Sequence, residues 1–244
     1  MRVVVTRPAT SAEGSAARLR ALGHEPVLLP LTVAVHKAIV WADTLVEEPA
    51  ALAATSAEAI RALSTAGPIP EHLLSVPLFS VGPATSAAAR DAGFLKITES
   101  QGSGNELAVR ISEDCPPTSK NSPLLYLAGT PRASGLEAGL AECGAVFRTV
   151  EVYRMEDIAY APATVRRALF DPPADVVLLY SRANAERFLA LPFEAEARER
   201  LQTLRFACLS PNIAEALPHN LRHRAVVAAN PDEDTLFRLL EKQM

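Results

Sequence analysis

The sequence predicts an α/β protein made of doubly wound parallel sheets in two lobes. Short apolar runs alternate with helix-period segments along the whole chain, which is the pattern of βα units. The runs are continuously apolar rather than alternating, as expected of strands covered on both faces. Segments of one half are also echoed in the other, the mark of a duplicated unit.

Taken in order, the strand candidates are Arg2–Thr6, Pro26–Pro30, Ala50–Thr55, Pro77–Val81 and Leu95–Thr98, then Leu124–Ala128, Val146–Tyr153, Asp175–Tyr180, Arg205–Leu209 and Ala225–Ala229. Between them lie amphipathic helices, among them Ala9–Leu22, Ser56–Ala66 and Ser134–Glu142. The last, Asp232–Lys242, carries Asp232, Glu233 and Asp234 in its first turn, where negative charge suits the helix dipole. So many strands exceed one doubly wound sheet, which argues for two lobes. The echoes agree. "VVVTRPATSAEGSAARLRALGHEPVLLPL" is matched by "LLYLAGTPRASGLEAGLAECGAVFRTVEVY", "ATSAEAIRAL" by "YSRANAERFL", and "SVGPATSAAA" by "CLSPNIAEAL".

Composition narrows the function. The chain has 244 residues, 49% of them hydrophobic, and a formal charge of −4, which argues against a general nucleic-acid or membrane-surface binder. No apolar run approaches a membrane span. The start "MRVVVTRP" enters a strand without a signal-type apolar region. Three cysteines without CxxC spacing read as reduced thiols of a cytoplasmic protein, with Cys143 and Cys208 expected to be buried. "QGSGNEL" lacks the nucleotide-loop patterns, so Ser103 or Asn105 is expected simply to cap a helix. His219 and His223 are four apart but flanked by Pro218 and Asn220, a poor metal site, and the acidic pairs Glu47-Glu48, Glu113-Asp114 and Glu156-Asp157 read as solvated charges. No metal, flavin or nicotinamide is expected.

In open parallel sheets, ligands bind beyond the carboxyl ends of the strands. Two lobes facing each other would bring Arg7, Thr55, Ser56, Gly82, Ala84, Thr85, Ser181 and Ser210–Asn212 around one cleft. With Gly82 as N-cap and Pro83 as the first helical residue, the N–H groups of Ala84 and Thr85 and the Thr85 hydroxyl would make a small carboxylate or phosphate cradle. The same turn also serves as a plain helix start. Ser56 caps a helix or lines the cleft; Arg7, Arg132 and Arg182 are solvated edge residues or carboxylate partners. Tyr153 ends an apolar strand beside the charged "RMED". It either packs with its hydroxyl in water or delivers a proton.

The ordered set "VTRP", "LGHEPVLLPL", "TSAEAI", "VGPATSAAARDAGF", "LLYLAG", "CGAVFRTVEVYR", "LLYSRANAERF" and "CLSPNIAEAL" resembles the uroporphyrinogen-III synthase family over nearly the whole chain. The resemblance implies two flavodoxin-like lobes joined by a two-stranded linker. Residues 1–34 plus 155–244 would form lobe 1 and residues 37–149 lobe 2, with linkers at 33–36 and 150–156. It implies a cofactor-independent, cytoplasmic, monomeric lyase that cyclises hydroxymethylbilane to uroporphyrinogen III, inverting ring D and losing water. It also admits a transient hand-over of the bilane from hydroxymethylbilane synthase. Tyr153 matches the family tyrosine and would act as general acid from the hinge, facing the cleft. Thr85, Ser56 and Ser181 match family residues that would bind substrate carboxylates, alongside Arg7, Thr55, Gly82 and Ala84.

Some positions depart from the family pattern. The second turn reads Ser210-Pro211-Asn212-Ile213 in place of Gly-Pro-Thr-Thr, so Asn212 and Ile213 would bind substrate with a side-chain donor at Asn212 and only a backbone N–H at Ile213. Glu58 would repel a polyanion. Arg132 stands one place before the family arginine. These departures keep open a second function, a non-catalytic two-lobe sensor for a tetrapyrrole or other anion.

Overall fold

Strands that are apolar throughout need two covered faces, and each sheet here has them. In the computed structural model, which describes residues 1–38, 48–65 and 67–241, the chain divides into two units, Met1–Val33 with Glu156–Met244 and Ala34–Met155. Glu47 and the expected helix ends Ala66 and Lys242 lie outside the described residues.

The first unit holds β1 (Arg2–Val5), β2 (Glu25–Leu28), β9 (Val176–Leu179), β10 (Arg205–Cys208) and β11 (Ala225–Val227). They form a parallel sheet in the order β2-β1-β9-β10-β11. Val4, Val177, Leu179, Phe206 and Cys208 pack on one face; Val3, Val5, Val176, Leu178 and Ala207 pack on the other. Strict alternation within an all-apolar run is what feeds both cores. Phe188 and Phe206 meet edge to face, with ring centroids 5.9 Å apart.

The second unit holds β3 (Thr32–His36), β4 (Ala51–Ala54), β5 (Leu78–Val81), β6 (Ile97–Ser100), β7 (Leu124–Thr130) and β8 (Phe147–Asp157), in the order β3-β8-β7-β4-β5-β6. The core of this sheet, β8-β7-β4-β5-β6, is parallel and has the spatial order of β2-β1-β9-β10-β11. The echoed segments fall on matching strands: β7 and β8 on β1 and β2, β4 on β9, β5 on β10. The duplicated unit is therefore used once as written and once with its chain order rotated.

The chain leaves the first unit within β3 and returns at the end of β8. β3 is an eleventh strand among the described residues and neighbours β8 in the sheet, where the family resemblance implies a two-stranded linker. β8 also runs four residues past Tyr153, so this tyrosine lies inside a strand rather than at its end. Cys208 is buried as expected, its thiol pushed up to about 12 by burial, but Cys143 is exposed because it caps the C-terminus of helix Gly135–Glu142 rather than filling a core. Ser103 caps helix Gly104–Asp114 in a reciprocal capping box with Glu106.

Candidate functional site

In each unit the strand order reverses direction at one point, between β1 and β9 in the first and between β7 and β4 in the second. Loops at such switch points diverge and leave room for a ligand. In the first unit, Thr6, buried at the end of β1, donates to Leu178 O at 2.6 Å and lies 2.8 Å from Asn184 Oδ1. The Asn184 amide returns a bond to Thr6 O at 3.0 Å, tying the two loops together.

Arg7 follows. Its guanidinium stacks 4.8 Å from the Tyr180 ring centroid and donates to Glu233 Oε1 at 3.0 Å. The same oxygen accepts from Ser15 and from the Tyr180 hydroxyl at 3.2 Å, and Arg18 donates to Oε2 at 2.9 Å. Burial, with Glu233 nearby, pushes the Tyr180 phenol far up, so it stays a protonated donor. The charge of Arg7 is thus already matched inside the protein. Glu233 looks in sequence like a dipole-compensating acid, and no local signal pairs it with Arg7, which is 226 positions away.

Ser181 accepts from Asn184 N–H at 3.1 Å as the cap of helix Arg182–Leu189, and its side chain is exposed. Asn212 is exposed, with its Oδ1 accepting from Arg182 at 3.0 Å. Its amide nitrogen is the donor it offers. The Ile213 side chain lies in the core and its N–H donates to Ser210 O at 3.1 Å, so neither part of Ile213 is presented as a donor.

In the second unit, Thr55 Oγ1 lies 3.0 Å from the hydroxyl of buried Tyr126, which orients it at the end of β4. Ser56 accepts from Glu58 N–H at 3.2 Å, the short-range bond of a helix cap. Glu58 itself is buried rather than displayed toward a ligand. It lies 2.7 Å from His36 Nε2 and accepts from Arg61 at 2.7 Å. Burial alone would raise this carboxyl, but those two partners outweigh it and hold the group below its ordinary value. The expected repulsion of a polyanion by Glu58 is corrected by this pairing, which compensates its charge.

After β5 the helix Gly82–Asp91 begins one residue earlier than expected, with Val81 at the cap position and Gly82 at φ +72°, a value that favours glycine. Pro83 has no N–H to lose, and the N–H of Ala84 in the first turn has no helical carbonyl one turn back to receive it, whereas Thr85 stands four residues after the Val81 cap. Ala84 is exposed; Thr85 is 3% exposed, above a buried Ser80–Ser86 hydroxyl pair at 2.8 Å.

Tyr153 on β8 lies beside Gly129 of β7, 9% exposed, packed with Leu52, Ala54, Leu125 and Leu127. On the other face of the same strands, Glu151 accepts from Lys37 at 2.6 Å and from Arg132 at 3.0 Å, and these partners hold its carboxyl down at about 2. Arg132 also donates twice to Glu137. Like Arg7, it is neutralised within its own unit.

The second unit thus gathers Thr55, Ser56, Ala84, Thr85 and Tyr153 at or near the carboxyl ends of its strands, and the first gathers Arg7, Ser181 and Asn212. Small hydroxyls, amides and one phenol make up the display, with the cations tied to carboxylates. The sequence model of the family described as Uroporphyrinogen-III synthase HemD matches residues 13–238. The chain belongs to the uroporphyrinogen-III synthase family. The uroporphyrinogen-III synthase of Saccharomyces cerevisiae is 27% identical over 183 residues, a match spanning 69% of this chain and 65% of the yeast protein. Among solved structures, the uroporphyrinogen-III synthetase of Helicobacter pylori is similar with a TM-score of 0.66 at 17% identity, each chain covered in full. A mutant uroporphyrinogen III synthase of Thermus thermophilus gives a TM-score of 0.56 at 18% identity over 99% of this chain and 98% of that one. These structures share the family's fold. Among the described residues, no helix is long and apolar enough to cross a membrane.

Proposed function

We propose that the chain is a uroporphyrinogen-III synthase, a lyase that closes linear hydroxymethylbilane into uroporphyrinogen III without a cofactor. Family membership over residues 13–238 is the observation that carries this. It favours an enzyme over a sensor.

Tyr153 is the proton donor in this proposal. Its phenol protonates the hydroxymethyl oxygen as the C–O bond breaks, so that water leaves and an azafulvene cation remains. The terminal ring then attacks through its substituted α-carbon, and the resulting spiro intermediate fragments and recloses with ring D inverted. The proton lost at the end restores the phenol.

The remaining candidates would hold the substrate's carboxylates: Ser56, Ala84 and Thr85 from the second unit, and Ser181 and Asn212 from the first. Ala84 and Thr85 sit where the helix dipole favours an anion. Arg7 would contribute only by sharing its guanidinium with Glu233, and Thr55 by the hydroxyl that Tyr126 orients. Gly82 supplies the turn, and Ile213 acts as a packing residue beneath the second turn. Three unpaired cysteines support a cytoplasmic setting. Because the bilane also closes unaided to isomer I, a direct hand-over from hydroxymethylbilane synthase would protect it, and this belongs to the same proposal.

The test is to supply hydroxymethylbilane, oxidise the product and separate the porphyrin isomers. Isomer III is expected in excess; isomer I alone would contradict the proposal.

A further inference from the structure

A strand sends alternate side chains to opposite faces, so Tyr153 should share a face with Glu151 and Thr149. It does not. β7 and β8 are in register from Leu124↔Phe147 to Ala128↔Glu151, and the next pair is Gly129↔Tyr153. Val152 is the extra residue of a β-bulge. It turns Tyr153 onto the face it would otherwise avoid, so Val152 and Tyr153 pack in the same cluster with Leu125 and Leu127. Thr149 and Glu151 stay on the opposite face, where they bond to Glu137 and to Arg132 and Lys37.

On the face it reaches, the phenol lies on the backbone of Gly129. A Cβ at position 129 would fall 2.2 Å from Tyr153 Cζ, 2.5 Å from its hydroxyl oxygen and 2.6 Å from Cε1. Those are the atoms at the reacting end of the ring. The rest of the ring is confined by the core, so it has no room to retreat inward.

We propose that Gly129, together with the bulge at Val152, is a positioning device that seats the Tyr153 hydroxyl for proton transfer; this rests on the proposed role of Tyr153. An alanine at 129 forces the hydroxyl end of the ring to move while leaving its chemistry unchanged. A shift on the order of 1 Å at a reacting group costs about 100-fold in rate. Gly129 has no side chain to offer a substrate, so the loss falls on kcat and leaves KM nearly unchanged.

The experiment compares kcat and KM for hydroxymethylbilane in the wild type, Gly129→Ala, Tyr153→Phe and the double variant, with urea unfolding of each. Gly129→Ala is expected to lose about 100-fold in kcat. The double variant should be no slower than Tyr153→Phe alone, because a misplaced phenyl has no proton to deliver. If Tyr153→Phe is impaired and Gly129→Ala is not, the positioning role is overturned while the proton donor stands. Full turnover by Tyr153→Phe would instead overturn the proton-donor role and the device built on it. Equal fold losses from Gly129→Ala in both backgrounds would show that Gly129 acts independently of the phenol, which also overturns the proposal. Should Gly129→Ala fail to fold, the contact is tested by trimming the ring: Gly129→Ala added to Tyr153→Leu should cost no stability beyond Tyr153→Leu alone. A further large loss there would mean that something other than the phenol meets the new Cβ.

Discussion

Replacing Glu233 by alanine removes the carboxylate on which Arg7, Ser15, Tyr180 and Arg18 converge. The Glu233 side chain is 18% exposed, that of Arg7 31% and that of Arg18 45%. Arg18 is wet enough that its bond contributes under about 1 kcal/mol. Arg7, stacked on Tyr180, and the two neutral donors contribute on the order of 1 kcal/mol each, since each loses a charged acceptor in a half-buried setting. The sum for Glu233→Ala is about 3 kcal/mol, with Glu233→Gln about half of that because the amide oxygen still accepts. For a protein of this size the alanine variant should melt about 6–12 °C lower. Urea unfolding of Arg7→Ala, Glu233→Ala and the pair isolates the Arg7 bond, with a coupling energy of about 1 kcal/mol expected. A coupling below about 0.3 kcal/mol would refute the argument, because the two groups would then be near neighbours without a shared energy.

Two further outcomes concern pH and packing. The Glu151 carboxyl is held at about 2, mainly by Lys37, then by Thr130 and Arg132, against an ordinary value of 4.5, so its contribution to stability is present above pH 4.5 and is lost as pH falls towards 2. Solvent screening keeps that contribution under about 1 kcal/mol. Glu151→Gln should therefore destabilise at pH 7 and match the wild type near pH 2; a difference independent of pH would show that the ion pairs are not its source. Phe206→Ala opens a cavity between Phe188 and β10 and should cost about 3–5 kcal/mol in urea unfolding. A loss below about 1 kcal/mol would mean that the site collapses, contrary to its dense packing.

The inner strands β1, β4, β5, β7, β9 and β10 were legible in the sequence because both their faces are buried, so each appears as a largely apolar run. β3 was implied only by the resemblance, as part of the linker, because "TVAVH" mixes half-buried and exposed positions at a sheet edge. The internal echoes foretold matching sheets, since a repeated βα unit must bury its faces in the same way wherever the chain order is cut. Glu233 does stand in the first turn of the last helix, but its bond to Arg7, like that of Glu58 to His36, was not legible, because the fold brings these partners from distant elements. Cys143 was expected to be buried, but the end of a helix places it outward. Tyr153 is singled out as a candidate by the family resemblance. Its orientation was not legible, because a bulge is a property of the pairing between two strands, and neither strand alone records it.

The central claim is that this chain closes the bilane to isomer III with the Tyr153 phenol as proton donor. Single-turnover measurement of hydroxymethylbilane consumption by Tyr153→Phe, with the isomers resolved, tests it most directly. The account predicts a rate at least about 100-fold below wild type, with isomer III giving way to the spontaneous isomer I. Isomer III formed at the wild-type rate would contradict it.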